Sequence, residues 1–217
     1  LARHGVATLR YDDRGFGKST GEDVGYATTL DFMRDAMSGV EFLRASKLFG
    51  KVGVLGHSEG GSIAFMLGAK GKVDFVISMA GIGVKGDTVL TAQTNKILEL
   101  AGKSMRLTTQ QYRMNVSLKR SPWLNFIIDY DPSADISKTL CPVMAINGSR
   151  DVQVISSLNL TGIKAHLKNN PKNVIKEYPS LNHLFQHCKT GNISEYRMIE
   201  ETISPEVLED IARFIKQ

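Results

Sequence analysis

Apolar positions along this chain follow two alternating patterns. Short runs rich in β-branched and aromatic residues, at 6–11, 52–55, 75–79, 143–146 and 174–178, run out into Gly, Asp or Asn. They are separated by longer stretches with helical spacing. This alternation predicts an α/β fold with a mostly parallel sheet flanked by helices. The runs are near-continuously apolar, as strands covered on both faces should be. Residues 29–44 place Leu30, Met33, Met37, Val40 and Phe42 or Leu43 near one helical face. Residues 61–67, 155–167 and 205–215 read as further helices, the last with Pro205 in the first turn after Ser204. From about 85 to 131 there is no strand signal, only helical stretches carrying Leu98, Leu100, Met105, Tyr112, Met114, Trp123, Phe126 and Ile127. That segment reads as an insertion between two strands, so the chain is a single domain with an insert.

Composition narrows the function classes. The 217 residues are 42% hydrophobic and 23% charged, which suits one globular domain with a sizeable core. The net charge is +5, but the cations are scattered, with Lys119 and Arg120 among the few adjacent pairs. No nucleic-acid-binding stripe is therefore expected. No apolar run approaches the roughly 18 residues that span a bilayer. The first residues, 1–5, resemble neither a signal peptide nor an initiating Met, so the chain is expected to be part of a longer product, and its compartment stays open. The cysteines, Cys141 and Cys188, form no disulfide scaffold or metal-type spacing. They fall near opposite edges of the expected sheet, about 17 Å apart for a five-residue strand, and are expected to be free thiols.

The strongest chemical signal is Gly56-His57-Ser58-Glu59-Gly60-Gly61, a strand entering GxSxG and then a helix. In a nucleophile elbow the serine occupies a strained turn, and the flanking glycines avoid collisions with neighbouring backbone. The turn aims the first helix amides at the serine, so the Glu59 N–H is the candidate oxyanion donor. A serine hydroxyl needs a base, and the base needs an acid to fix its tautomer. The run 143–146 ends in Asn147-Gly148-Ser149-Arg150-Asp151, and the run 174–178 leads to Asn182-His183. Both candidates follow the carboxyl ends of strands, where open α/β sheets carry their sites. Asp151 could instead cap the following helix, with Asp87 as alternative acid, and His187 could replace His183. His57 is expected to point away from the serine and to serve packing. The segment Arg14-Gly15-Phe16-Gly17-Lys18-Ser19-Thr20 contains GKS, but Asp12 stands where a phosphate loop needs its first Gly. A structural loop with an Asp13–Arg14 ion pair beneath the elbow is the better reading.

Together these segments resemble the α/β-hydrolase superfamily, within it the bacterial esterase and peptidase-like group with a Gly-His-Ser-Glu-Gly-Gly elbow. The resemblance rests on residues 11–19, on Gly56 to Gly61, on Cys141-Pro142-Val143 through Asp151, and on Asn182-His183-Leu184-Phe185-Gln186. It implies Ser58 as nucleophile, Asp151 as orienting acid and His183 as general base, without a cofactor or metal. It also implies that residues 85–131 form a cap over the acyl pocket, with Trp123 and Leu184 as candidate wall residues. The implied function is a serine hydrolase acting on a small acyl or aryl carboxylic ester. The alternatives are a serine peptidase of the prolyl oligopeptidase or aminopeptidase type, other acyl-transfer or lyase chemistry, and a noncatalytic binding protein. Members of the superfamily carry strands before the one matching residues 6–11, and the third lies between those matching 6–11 and 52–55. The missing strands, and a second oxyanion donor, are expected from an N-terminal segment or another chain.

Overall fold

The computed structural model describes residues 1–21, 24–117 and 121–217; Lys119 and Arg120, like Glu22 and Asp23, lie outside the described residues. Four parallel strands, β1 (Val54–His57), β2 (Val76–Met79), β3 (Val143–Gly148) and β4 (Val174–Tyr178), form a sheet in the order β1-β2-β3-β4. The register pairs Val54 with Val76, Val76 with Val143 and Met144 with Val174. The helices are α1 (Thr29–Ser46), α2 (Glu59–Ala69), α3 (Gly86–Leu100), α4 (Thr109–Val116), α5 (Pro122–Asp129), α6 (Ser133–Lys138), α7 (Ser156–His166) and α8 (Pro205–Ile215).

Alternate side chains of the central strands serve two cores. Val76, Val143 and Ala145 pack with Met33 and Val40 of α1, Phe65 and Leu67 of α2, and Ile163 of α7. Ile77, Met79, Met144 and Ile146 face the other way, against Val207, Ile211 and Phe214 of α8. This two-sided burial is why the strands read as unbroken apolar runs. Each fully buried Val, Leu, Ile, Phe or Met among them contributes on the order of 1.5–3 kcal/mol relative to exposure. Helix boundaries follow local chemistry. Thr28 and Asp31 form a capping box at the start of α1, and Ser121 caps α5 ahead of Pro122.

The stretch at 6–11 departs from expectation, because it is not a strand. Val6 to Tyr11 and β1 line one groove of about 1320 Å³. Their backbones do not meet in a ladder, and without a neighbour to pair with, an apolar run has no reason to settle as a strand. Beta1 is thus an edge strand, with Leu55 40% exposed. In the loop that follows, the expected ion pair of Arg14 with Asp13 is not formed. Arg14 donates to both Asp35 oxygens at 2.7 Å and to the Asp31 carbonyl, so α1 supplies the partner. Asp12 accepts from the Lys18 N–H and its carbonyl from the Ser19 hydroxyl, so the protein's own acid occupies the turn where a phosphate loop would hold its ligand.

Candidate active site

The turn from β1 into α2 is built to expose Ser58. Its backbone has φ 57° and ψ −117°, a conformation that costs a non-glycine residue about 1–3 kcal/mol. Two bonds hold it: the Ser58 N–H donates to the Met79 carbonyl at 2.8 Å, and the Gly61 N–H to the Ser58 carbonyl at 2.9 Å. A Cβ on Gly56 would overlap the Gly60 carbonyl, and one on Gly61 would stand 2.7 Å from the Gly81 Cα. A Cβ on Gly60 would meet nothing, so Gly61 rather than the second glycine of GxSxG allows the close approach of α2. Glu59 opens α2, and its N–H has no carbonyl one turn back within the helix.

Asp151 and His183 meet from adjacent strand ends. Asp151 Oδ2 lies 2.7 Å from His183 Nδ1, with the Asp151 side chain fully buried. Its other oxygen accepts from the Gln153 and Val154 N–H groups at 2.8 and 2.9 Å. The helix-capping alternative is not realised: α7 starts at Ser156 with Ile155 at its N-cap and no side-chain cap bond, so Asp151 Oδ1 closes the loop ahead of the helix. The two loops are tied together: the Arg150 N–H donates to the Leu181 carbonyl, and the Ser180 N–H to Ser149 Oγ, both at 2.9 Å. Asn182 closes the His183 turn by accepting from the Leu184 and Gln186 N–H groups. With Nδ1 engaged by Asp151, Nε2 is the His183 nitrogen left for chemistry.

The alternative residues are occupied elsewhere. Asp87, at the start of α3, is paired with Arg113 of α4. His187 is exposed and pairs with Glu201. The structure sets Ser58, Glu59 and Trp123 along the one groove. Leu184 does not line that groove; the Asn182 turn holds its N–H and leaves its side chain 38% exposed. Among the described residues, no hydrogen bond joins Ser58 Oγ to His183, although the ring of the adjoining His57 stands 4.5 Å from the His183 ring. His57, expected only to pack, approaches the His183 carbonyl to 2.7 Å through Nε2. The Glu59 side chain is a second unforeseen element. Its Oε1 accepts from Thr29 Oγ1 at 2.6 Å and from Trp123 Nε1 at 2.9 Å, joining the elbow to α1 and α5. No His, Cys, Asp and Glu cluster suited to a metal ion occurs among the described residues. Nor is any helix among them long and apolar enough to cross a membrane.

Comparison with known proteins agrees with this architecture. The family model for Hydrolase_4, serine aminopeptidase S33, matches residues 1–151. Esterase EstD of Thermotoga maritima is 23% identical over 226 residues, covering 99% of this chain and 54% of that protein. The chain thus spans about half the length of that curated relative. The Pyrococcus furiosus esterase PF2001 superposes with a TM-score of 0.66 at 17% identity, covering 100% of this chain and 72% of that one. Est1E from Butyrivibrio proteoclasticus, solved with ferulic acid bound, gives a TM-score of 0.56 at 14% identity, covering 94% and 75%.

Proposed function

Since the chain belongs to the Hydrolase_4, serine aminopeptidase S33, family of α/β-hydrolases, we propose that it is a serine hydrolase cleaving a carboxylic ester through an acyl-enzyme. The observation that carries this reading is the buried Asp151–His183 contact at the carboxyl edge of the sheet, next to the strained Ser58 turn. Ser58 Oγ attacks the acyl carbon as His183 Nε2 takes its proton; Asp151 holds the imidazole in the required tautomer. The Glu59 N–H stabilises the oxyanion. Collapse of the tetrahedral intermediate breaks the bond to the alcohol, which leaves with the proton from His183. Water, deprotonated by His183, then releases the acid and restores Ser58. The reading requires no cofactor. Residues 85–131 act as the cap, and Trp123, which lines the groove with Ser58, forms part of the acyl wall.

The open edge of β1 and the groove beside it support a further part of the reading: an additional extended segment, N-terminal to Leu1 or from another chain, completes the sheet and brings the second oxyanion donor. Soluble, cooperatively melting and fully active residues 1–217 alone would refute that part.

A panel of nitrophenyl acyl esters beside aminoacyl nitroanilides tests the activity. Ester turnover lost by several powers of ten in Ser58→Ala supports the esterase. Cleavage of the nitroanilides alone would move the assignment to a peptidase, and turnover retained in Ser58→Ala would remove the mechanism.

A further inference from the structure

We propose that His57 is a positioning residue that sets the place of His183 relative to Ser58 by clamping the His183 main chain and ring. The proposal rests on the reading of Ser58, Asp151 and His183 given above. His57 Nε2 lies 2.7 Å from the His183 carbonyl oxygen, across 126 positions of sequence. A carbonyl only accepts, so Nε2 must carry the proton and donate. The two imidazoles also meet ring to ring, with centroids 4.5 Å apart and planes tilted by 51°. Phe185 also meets His57, edge to face with centroids 6.3 Å apart.

His183 is thereby held from two directions. Asp151, from the loop after β3, fixes its ring at Nδ1, and His57, from the end of β1, fixes its backbone. The second anchor precedes Ser58 directly in the chain. One strand end therefore carries both the nucleophile and the group that locates its base, and the spacing between them is set by a single peptide unit. Packing alone would not need the nitrogen: a phenyl ring fills similar space but leaves the buried carbonyl of His183 without its donor. Charge points the same way. Burial, and secondarily the charge of His183 beside it, hold His57 below the ordinary histidine range, against the smaller upward pull of its bond to the His183 carbonyl and of Asp151. His57 is accordingly neutral near pH 7, and no second cation opposes the positive charge that His183 gains on taking the serine proton.

Two variants and one measurement on the wild-type chain test this. His57→Phe keeps the bulk and loses the donor, whereas His57→Gln keeps an amide N–H at similar reach. With a nitrophenyl ester, His57→Phe is expected to lower kcat by about 10–100-fold with KM within about twofold, because misplacement of a reacting group by about 1 Å costs this much. His57→Gln should recover most of the loss. Full kcat in His57→Phe, or a His57→Gln no better than His57→Phe, would overturn the proposal. Ser58→Ala, run alongside, separates the two readings: an active Ser58→Ala removes the serine mechanism, whereas an inactive Ser58→Ala beside a fully active His57→Phe removes only the role of His57. Nitrogen-15 NMR of the wild-type imidazoles covers the case in which His57→Phe does not fold. The Nε2-protonated neutral tautomer of His57 at pH 7 is expected, and the Nδ1-protonated tautomer would refute the clamp.

Discussion

Replacing Asp151 by Asn changes the charge and the proton count of one buried group while keeping its shape. Asp151 uses both oxygens: Oδ2 faces His183 Nδ1 at 2.7 Å, and Oδ1 receives the Gln153 and Val154 N–H groups. An asparagine has one oxygen to offer. If its NH2 faced the two backbone N–H groups, both would lose their acceptor, at about 1–3 kcal/mol each. The oxygen therefore stays with the backbone, by a margin of about 2–6 kcal/mol, and the NH2 turns to His183. His183 Nδ1 must then accept, which puts the ring proton on Nε2, where the proton from Ser58 arrives in the mechanism proposed above. The loop keeps its two backbone bonds and the fold loses mainly the charge-assisted part of one bond, about 1–2 kcal/mol, or a fall in Tm of about 2–8 °C for a domain of this size. Turnover should fall by about 10³–10⁴-fold. Asp151→Ala leaves both N–H groups unpaired and should cost about 2–6 kcal/mol of stability. Initial rates on a nitrophenyl ester, with thermal melts of the same samples, separate the two effects. An Asp151→Asn variant keeping a tenth or more of wild-type turnover would refute the tautomer argument.

Three other outcomes are expected. A double-mutant cycle on stability with Glu59→Met and Trp123→Phe should show a coupling of about 1 kcal/mol through the Trp123 Nε1–Glu59 Oε1 bond, and strict additivity would mean that the bond holds nothing together. Cys141 and Cys188 are both free thiols that burial pushes above the ordinary thiol range, so iodoacetamide at pH 7 should modify them much more slowly in the native than in the unfolded protein; a native crosslink found by mass spectrometry would contradict this. The Thr28 backbone and side-chain bonds hold the Asp31 carboxyl below its usual range, so its contribution is present above the ordinary carboxylate pKa and fades as pH falls through the lowered folded value; the cost of Asp31→Asn, about 1 kcal/mol in urea melts at pH 7, should shrink toward zero near about pH 2.

How much of this was legible in the sequence depended on the range of the interaction involved. The central strands β2 and β3 announce themselves because two-sided burial demands unbroken apolar runs, and the edge strand β4 falls at 174–178 as expected, although Lys176 and Glu177 interrupt it. β1 begins two residues after the apolar run at 52, since its bounds depend on where β2 pairs. The run at 6–11 carries the same apolar signal without a partner, which periodicity cannot supply. The turn at Ser58 and the meeting of Asp151 with His183 were legible because each residue follows a strand end. His57 and the Glu59 carboxylate were not: their partners, His183 and Trp123, lie 126 and 64 positions away, and nothing local marks the contact. The Arg14 partner was misplaced for the same reason. A neighbouring Asp13 is obvious in the sequence, whereas Asp35 comes within reach only once α1 packs beside the loop.

The strained backbone at Ser58 has a consequence for anyone seeking a hardier version of this protein. Glycine adopts φ near +57° freely, so Ser58→Gly should raise stability by about 1–3 kcal/mol while deleting the hydroxyl. Heat resistance and the nucleophile proposed above thus pull this one position in opposite directions. A screen that rewards survival at high temperature alone will favour the loss of Ser58, and a library meant to retain chemistry has to be sorted on turnover in every round.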